Sequence, residues 1–180
     1  MVQLSELIVG KKMLSLLLYL VNHPQQKHSY TQLRKQTKLA KATISKFLAH
    51  LRNNQCITLT AIGKNKLYQI NKDNSILKQL KIMDNLCKLN FLIHASKKYN
   101  CEFYLFGSAA RGEDNENSDI DILILGNVKK DEIISPIIKQ AAKLKKEIKL
   151  QIFTLAQWSM AKEKDPAFYE RVEKDKIHIT

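Results

Sequence analysis

Several things are scarce in this sequence, and each scarcity closes off a class of protein. There are three cysteines, Cys56, Cys87 and Cys101. They are odd in number, widely spaced and without a Cys-x-x-Cys pair, which argues against a disulfide-stapled scaffold and for reduced thiols in a cytoplasmic protein. The five histidines lack ligand spacing, so no zinc site is expected. No apolar run reaches the roughly 18 residues that a spanning helix needs, so no contact with a membrane is expected. Leu14 to Val21, behind Lys11 and Lys12, faintly resembles a signal peptide, but it is short and no small-residue cleavage site follows, so it reads as a helix. There is no internal repeat and no low-complexity linker. The last scarcity is of acid. Residues 1–100 carry 3 Asp and Glu against 17 Lys and Arg, whereas residues 101–180 carry 14 against 13. The formal net charge of +13 therefore belongs wholly to the first half, which suggests that this half contacts nucleic acid.

What is present centres on Leu105 to Leu125. An apolar run, Phe103 to Phe106, stops at Gly107-Ser108, a polar loop follows, and Ser118-Asp119-Ile120-Asp121 leads into a second apolar run. This predicts strand, turn, strand. Side chains alternate along a strand, so Asp119 and Asp121 share one face, about 6 to 7 Å apart, while Ile120 and Ile122 take the other. Such a pair can share hard cations, and Mg²⁺ favours a few carboxylate oxygens completed by water and substrate phosphates. Gly107 permits a left-handed turn and close approach to a ligand. If Ser108 opens a helix, its hydroxyl and the free N–H groups behind it favour an anion. Arg111, one turn on, adds a fork of donors for phosphate oxygens.

Gly107-Ser108-x-x-Arg111-Gly112 followed by Ser118-Asp119-Ile120-Asp121 resembles the signature of the DNA polymerase beta-type nucleotidyltransferase superfamily, in particular its small minimal nucleotidyltransferase branch. The resemblance covers about Tyr99 to Thr180. It implies attack by an acceptor group on the α-phosphate of a nucleoside triphosphate, with release of pyrophosphate. By position, Gly107, Ser108 and Arg111 would bind the nucleotide, and Asp119 and Asp121 would be the catalytic carboxylates that hold Mg²⁺. Two ions about 3.5 to 4 Å apart can stabilise both the attacking and the leaving oxygen. ATP, giving up AMP, is the first candidate.

One part of the family pattern is missing. Members of this superfamily usually place a third carboxylate on the next strand, here Lys146 to Phe153. Ile148, Leu150 and Ile152 form one face of it, and Glu147, Lys149 and Gln151 the other. The positions where the acid belongs hold Lys149 and Gln151. An ammonium beside a metal ion is repelled, so Gln151 is expected to face the pair and Lys149 is not. Glu147 shares that face but lies about 13 Å along the strand from Gln151. A positioned general base contributes about 10² to 10⁴-fold, so its loss could spare binding and nearly silence turnover.

The basic half has its own pattern. Lys11 to Asn22 carries Leu14, Leu17, Leu18 and Val21 at helical spacing, and His23-Pro24 ends that helix. Ser29-x-x-Gln32 resembles a capping box for a short helix through about Thr37, with Leu33 inward. In Ala40 to Asn53 the apolar stripe is Ile44, Phe47, Leu48 and Leu51. Ile57 to Thr60 and Lys66 to Ile70 are strand-like, joined through Gly63-Lys64-Asn65. Three helices and a hairpin resemble a winged helix-turn-helix over about Lys11 to Asn71. The likeness implies that Ala40 to Asn53 enters the major groove of double-stranded DNA with Lys41, Thr43, Ser45, Lys46 and His50, while Lys64 and Lys66 on the wing touch phosphates.

Asp73-Asn74-Ser75 caps a predicted long helix, Ile76 to Lys98, whose wide apolar face could also serve a homodimer on a palindromic site. Lys130 to Lys145 reads as a crossover helix. Thr154 reads as the N-cap of Leu155 to Glu163, with Trp158 anchored inward. Asp165-Pro166 opens a helix over Ala167 to Lys174, and Ile177 to Ile179 closes as an edge strand. The expected fold is α+β: residues 1–72 a winged helix-turn-helix, 73–98 a connecting helix, and 99–180 a nucleotidyltransferase-like α/β domain with a small mixed sheet. Three functions fit it: a Mg²⁺-dependent nucleotidyltransferase with an unknown acceptor, the reading favoured here; a DNA-binding transcription regulator whose second domain holds nucleotide without turnover; or the antitoxin-type partner of a helical toxin.

Overall fold

The computed structural model describes residues 10–63, 65–144 and 146–179. The chain divides into two compact units, Met1–Lys81 and Ile82–Thr180. Among the described residues, no helix is long and apolar enough to cross a membrane.

In the first unit the elements are α1 (Gly10–Asn22), β1 (His28–Ser29), α2 (Tyr30–Thr37), α3 (Lys41–Asn53), β2 (Ile57–Ile62) and β3 (Asn65–Ile70). The three strands form an antiparallel sheet of order β1-β3-β2. Ser29 caps α2 through a reciprocal box. Its hydroxyl accepts from the Gln32 amide, and the Gln32 side chain accepts from the Ser29 amide. Such a box satisfies two N–H groups that an α-helix leaves unpaired. On α3, Ile44, Phe47, Leu48 and Leu51 are buried, the stripe that the spacing predicts. On α1 the buried set is Leu16, Leu17, Leu20 and Val21, with Leu14 and Leu18 half-buried. The inward face is therefore wider than the predicted stripe, because α1 packs against both α2 and β3. Leu77 and Leu80, from the helix that follows, complete this core. The two-residue β1 carries no periodicity, and only its pairing with Leu67 and Tyr68 reveals it.

The segment expected as one helix to Lys98 is two, α4 (Ser75–Lys88) and α5 (Phe91–Tyr99). The break falls at Leu89-Asn90. Leu89 is fully buried, and its amide is shared between the carbonyls of Asn85 and Leu86. Burying Leu89 in the second core redirects the chain, an outcome that helical periodicity alone does not encode. Asn74 caps α4, its side-chain oxygen accepting from the amides of Ile76 and Leu77.

The second unit is a mixed sheet between two helical layers. Its further elements are β4 (Glu102–Phe106), α6 (Gly107–Ala110), β5 (Ile120–Leu125), α7 (Lys130–Ala141), β6 (Ile148–Phe153), α8 (Leu155–Lys164), α9 (Pro166–Asp175) and β7 (Ile177–His178). The order is β6-β5-β4-β7, with β5 and β6 parallel and the other pairs antiparallel. Alternation divides the side chains. Phe103, Leu105, Ile120, Ile122, Ile124 and Ile148 pack with residues of α5 and α7. Phe106, Leu123 and Leu125 pack with Trp158, Ala161 and Val172 from α8 and α9. Thr154 closes a capping box at the start of α8, and Asp165 caps α9 ahead of Pro166. A parallel pair needs a long crossover, which α7 supplies.

Candidate functional site

The site forms where β4 ends. Antiparallel pairing sets Phe106 opposite Asp121, so the next residue, Gly107, turns beside that carboxylate. Gly107 has φ +71°, and a Cβ there would lie 2.6 Å from Asp121 Oδ2. Any other residue would be strained in its backbone and would push the carboxylate aside. The short α6 follows, with Ser108 half-buried and Ala109 and Ala110 in the core.

The loop from α6 to β5 is pinned from within. Asp114 is fully buried. It accepts from Asn85 Nδ2 at 2.9 Å and from Lys146 Nζ at 2.5 Å, and Asn85 also donates to the Ala109 carbonyl. Ser118 Oγ accepts from the Asn115 amide at 2.9 Å, so this motif residue braces the turn that presents Asp119. Neither role is announced by the sequence. A buried acid in a Glu-Asp-Asn-Glu-Asn stretch reads as one more surface charge until its partners are seen.

Arg111 is less available than its spacing suggests. Its Nε donates to Glu113 at 2.9 Å and its Nη1 to Asp175 at 2.6 Å, so it ties the motif loop to α9. These two carboxylates hold its guanidinium above the usual arginine range. It still borders a cleft of about 520 Å³ on α9, lined also by Glu170, Arg171 and Lys174.

The third-carboxylate position is occupied by Lys149, not by Gln151 as expected. The parallel register sets Lys149 opposite Asp121 and Gln151 opposite Leu123, one step farther from the pair. Lys149 Nζ lies 2.5 Å from Asp119 Oδ2. Asp119 presents the ammonium with a charge of opposite sign, and Lys149 turns to it. Its hydrogen bond to Asp119, more than any other influence, raises its pKa. Asp121 is half-buried, and burial pushes its carboxyl above the ordinary value. Lys149 opposes that rise, Asp119 adds to it, and Arg171 and Arg111 oppose it.

Asp119 and Asp121 are the carboxylates that could hold a metal ion, and the Lys149 ammonium shares their face. Among the described residues, no group of three or more His, Cys, Asp or Glu is placed to hold a metal. Glu147 is exposed; its carbonyl accepts from the Ile120 amide, and its charge adds to the rise in the Lys149 pKa.

In the first unit, Lys41, Ser45 and Lys46 are exposed on α3, and Thr43 and His50 are half-buried. His50 Nε2 is 3.2 Å from Asn54 Nδ2. Lys66 is exposed on β3, and Lys64 lies outside the described residues.

Residues 90–178 match the family model described as a nucleotidyltransferase domain. The match falls within the second unit and supports a nucleotidyl-transfer function. No curated protein matches the chain.

Proposed function

We propose that the nucleotidyltransferase domain at residues 90–178 takes up a nucleoside triphosphate, ATP being the first candidate, and that the first unit is a winged helix that binds duplex DNA. The observation that carries the nucleotide reading is Gly107 turning, side-chain-free, within van der Waals reach of Asp121. That arrangement brings a bare backbone and a carboxylate to one place, with Ser108 next in the chain. In transfer, the oxygen of an acceptor attacks the α-phosphorus, the bond to the bridging oxygen breaks, and pyrophosphate leaves with the electron pair. Asp121, more basic than an ordinary carboxylate because it is half-buried, is suited to take the acceptor's proton. The Gly107-Ser108 turn holds the phosphates.

A second reading is favoured by Lys149, which stands where the third acid would be and engages Asp119. In that reading the domain holds nucleotide without transferring it, and occupancy is a signal for the DNA-binding unit. One experiment separates the two. The protein is incubated with α-labelled ATP and cell extract, with and without Mg²⁺, beside an Asp119→Ala, Asp121→Ala double variant. Label transferred by the native chain alone establishes the enzyme and identifies its acceptor. ATP bound without transfer establishes the sensor, and no binding sinks both.

The DNA reading rests on the exposed Lys41, Ser45 and Lys46 of α3 within a strongly basic half. Duplex affinity is expected to fall steeply with salt, and to collapse in a Lys41→Glu, Lys46→Glu variant. Indifference to both would refute it.

A further inference from the structure

The ion pair between β6 and the Asp119 turn has a consequence for what the site can bind. We propose that the Lys149 ammonium is a resident cation that closes the Asp119–Asp121 pair to divalent metal, so that the chain's own cations, Lys149 and Arg171, neutralise the phosphates of a metal-free nucleotide. This inference rests on the nucleotide-binding reading above and extends it to the form in which the nucleotide is taken.

Geometry carries the argument. A divalent ion held by Asp119 and Asp121 must have an oxygen of each in its first shell. Lys149 Nζ already sits 2.5 Å from Asp119 Oδ2, within the space such an ion would need. The side chain is anchored within reach of the pair. The parallel register fixes its backbone opposite Asp121, on the strand face that carries both aspartates. Asp114, another nearby carboxylate, is committed elsewhere, to Asn85 and Lys146. The donor count at the pair therefore stays at two.

A triphosphate without a metal needs positive charge from the protein, and α9 supplies it. Arg171 and Lys174 line the cleft beside Arg111. Arg171 is close enough to Asp121 to oppose the rise in its pKa. Unlike Arg111, whose Nε and Nη1 are engaged by Glu113 and Asp175, Arg171 meets Phe168 through a cation–π contact, its guanidinium carbon 5.5 Å from the ring centroid. Such a contact steadies the guanidinium beside the cleft, where its donors can meet a ligand.

The test uses the full chain and two probes. Mn²⁺ is titrated and followed by electron paramagnetic resonance, in the native protein, Lys149→Asp and Lys149→Ala. The expected result is no saturable Mn²⁺ site in the native chain, and a gained site in Lys149→Asp that disappears when Asp119→Asn is added. A native site as strong as that of Lys149→Asp would overturn the proposal, and so would failure of both Lys149 variants to gain one, since the lysine would then not be what excludes the metal. In the second arm, a fluorescent ATP analogue is titrated in EDTA and in Mg²⁺. Equal affinity in both is expected, with a loss of about 10-fold or more in Arg171→Ala under either condition. Binding that requires Mg²⁺ overturns the proposal. Absence of binding under both conditions overturns the nucleotide reading itself, and the Mn²⁺ comparison alone then decides whether Lys149 bars the metal. Circular dichroism of each variant confirms folding, which an exposed position such as Lys149 should not disturb.

Discussion

Two lysine–aspartate pairs tie the motif loop to the segment that forms β6, and they do opposite jobs. In the inner pair, Asp114 is fully buried and the Lys146 side chain only 15% exposed. In the outer pair, Asp119 is 33% and Lys149 54% exposed. Both have 2.5 Å between charged atoms. The chemistry is the same, so the surroundings decide the role. A buried carboxylate must be compensated in full, and removing one partner of such a pair leaves an uncompensated charge. An exposed pair is screened by water and contributes little to stability. The inner pair is therefore architecture, and the outer pair is available to a ligand.

Breaking the inner pair should give the largest effect. Lys146→Ala removes the ammonium that compensates the buried Asp114 and is expected to cost about 3–5 kcal/mol in denaturant unfolding. Lys149→Ala should leave the midpoint unchanged. Equal losses would abolish the distinction. Next comes Gly107→Ala, which sets an alanine at φ +71° against Asp121. A cost of about 1–2 kcal/mol is expected from the left-handed backbone, with nucleotide binding lost beyond what the stability change explains. Retained binding would mean that Asp121 moves without consequence.

How much of this was legible in the sequence depends on whether a residue's role is set by its neighbours in the chain or by its neighbours in space. Gly107, Asp119 and Asp121 could be read because turn and strand spacing fix their relation locally. The capping box at Ser29 and the N-cap at Thr154 were legible for the same reason. The place of Lys149 was not. Its strand face follows from alternation, but its register against Asp121 is a property of two strands separated by a crossover helix. Asp114 could not be read at all, because its partners Asn85 and Lys146 come from distant segments. The break at Leu89 likewise depends on the second core, which the periodicity of 76–98 cannot see.

Smaller effects sharpen the contrast. Burial raises the Asp121 pKa, so its ionised form at neutral pH opposes folding, and stability from this group increases as pH falls through the range at and just above the ordinary carboxylate value. Asp121→Asn is thus expected to raise the melting temperature at pH 7 by about a degree or two, with the difference from wild type vanishing toward pH 4. A variant less stable at pH 7 would contradict this sign. The smallest effect concerns the outer pair. Lys149 has a raised pKa, so whatever stability it adds is present below the ordinary lysine value and lost as pH climbs through the folded one. Wild type and Lys149→Ala should have indistinguishable melting curves above that range, and a gap that persists there would place the cause outside the ion pair.

The position opposite Asp121 also has a meaning at the level of the genetic code. Either lysine codon becomes a glutamate codon by a single base change. At residue 149 that change would replace the ammonium on this strand face with a carboxylate and bring a third acid to the pair. The chain therefore stands one point mutation from the acid-rich arrangement it lacks, and no rebuilding of the sheet separates the two.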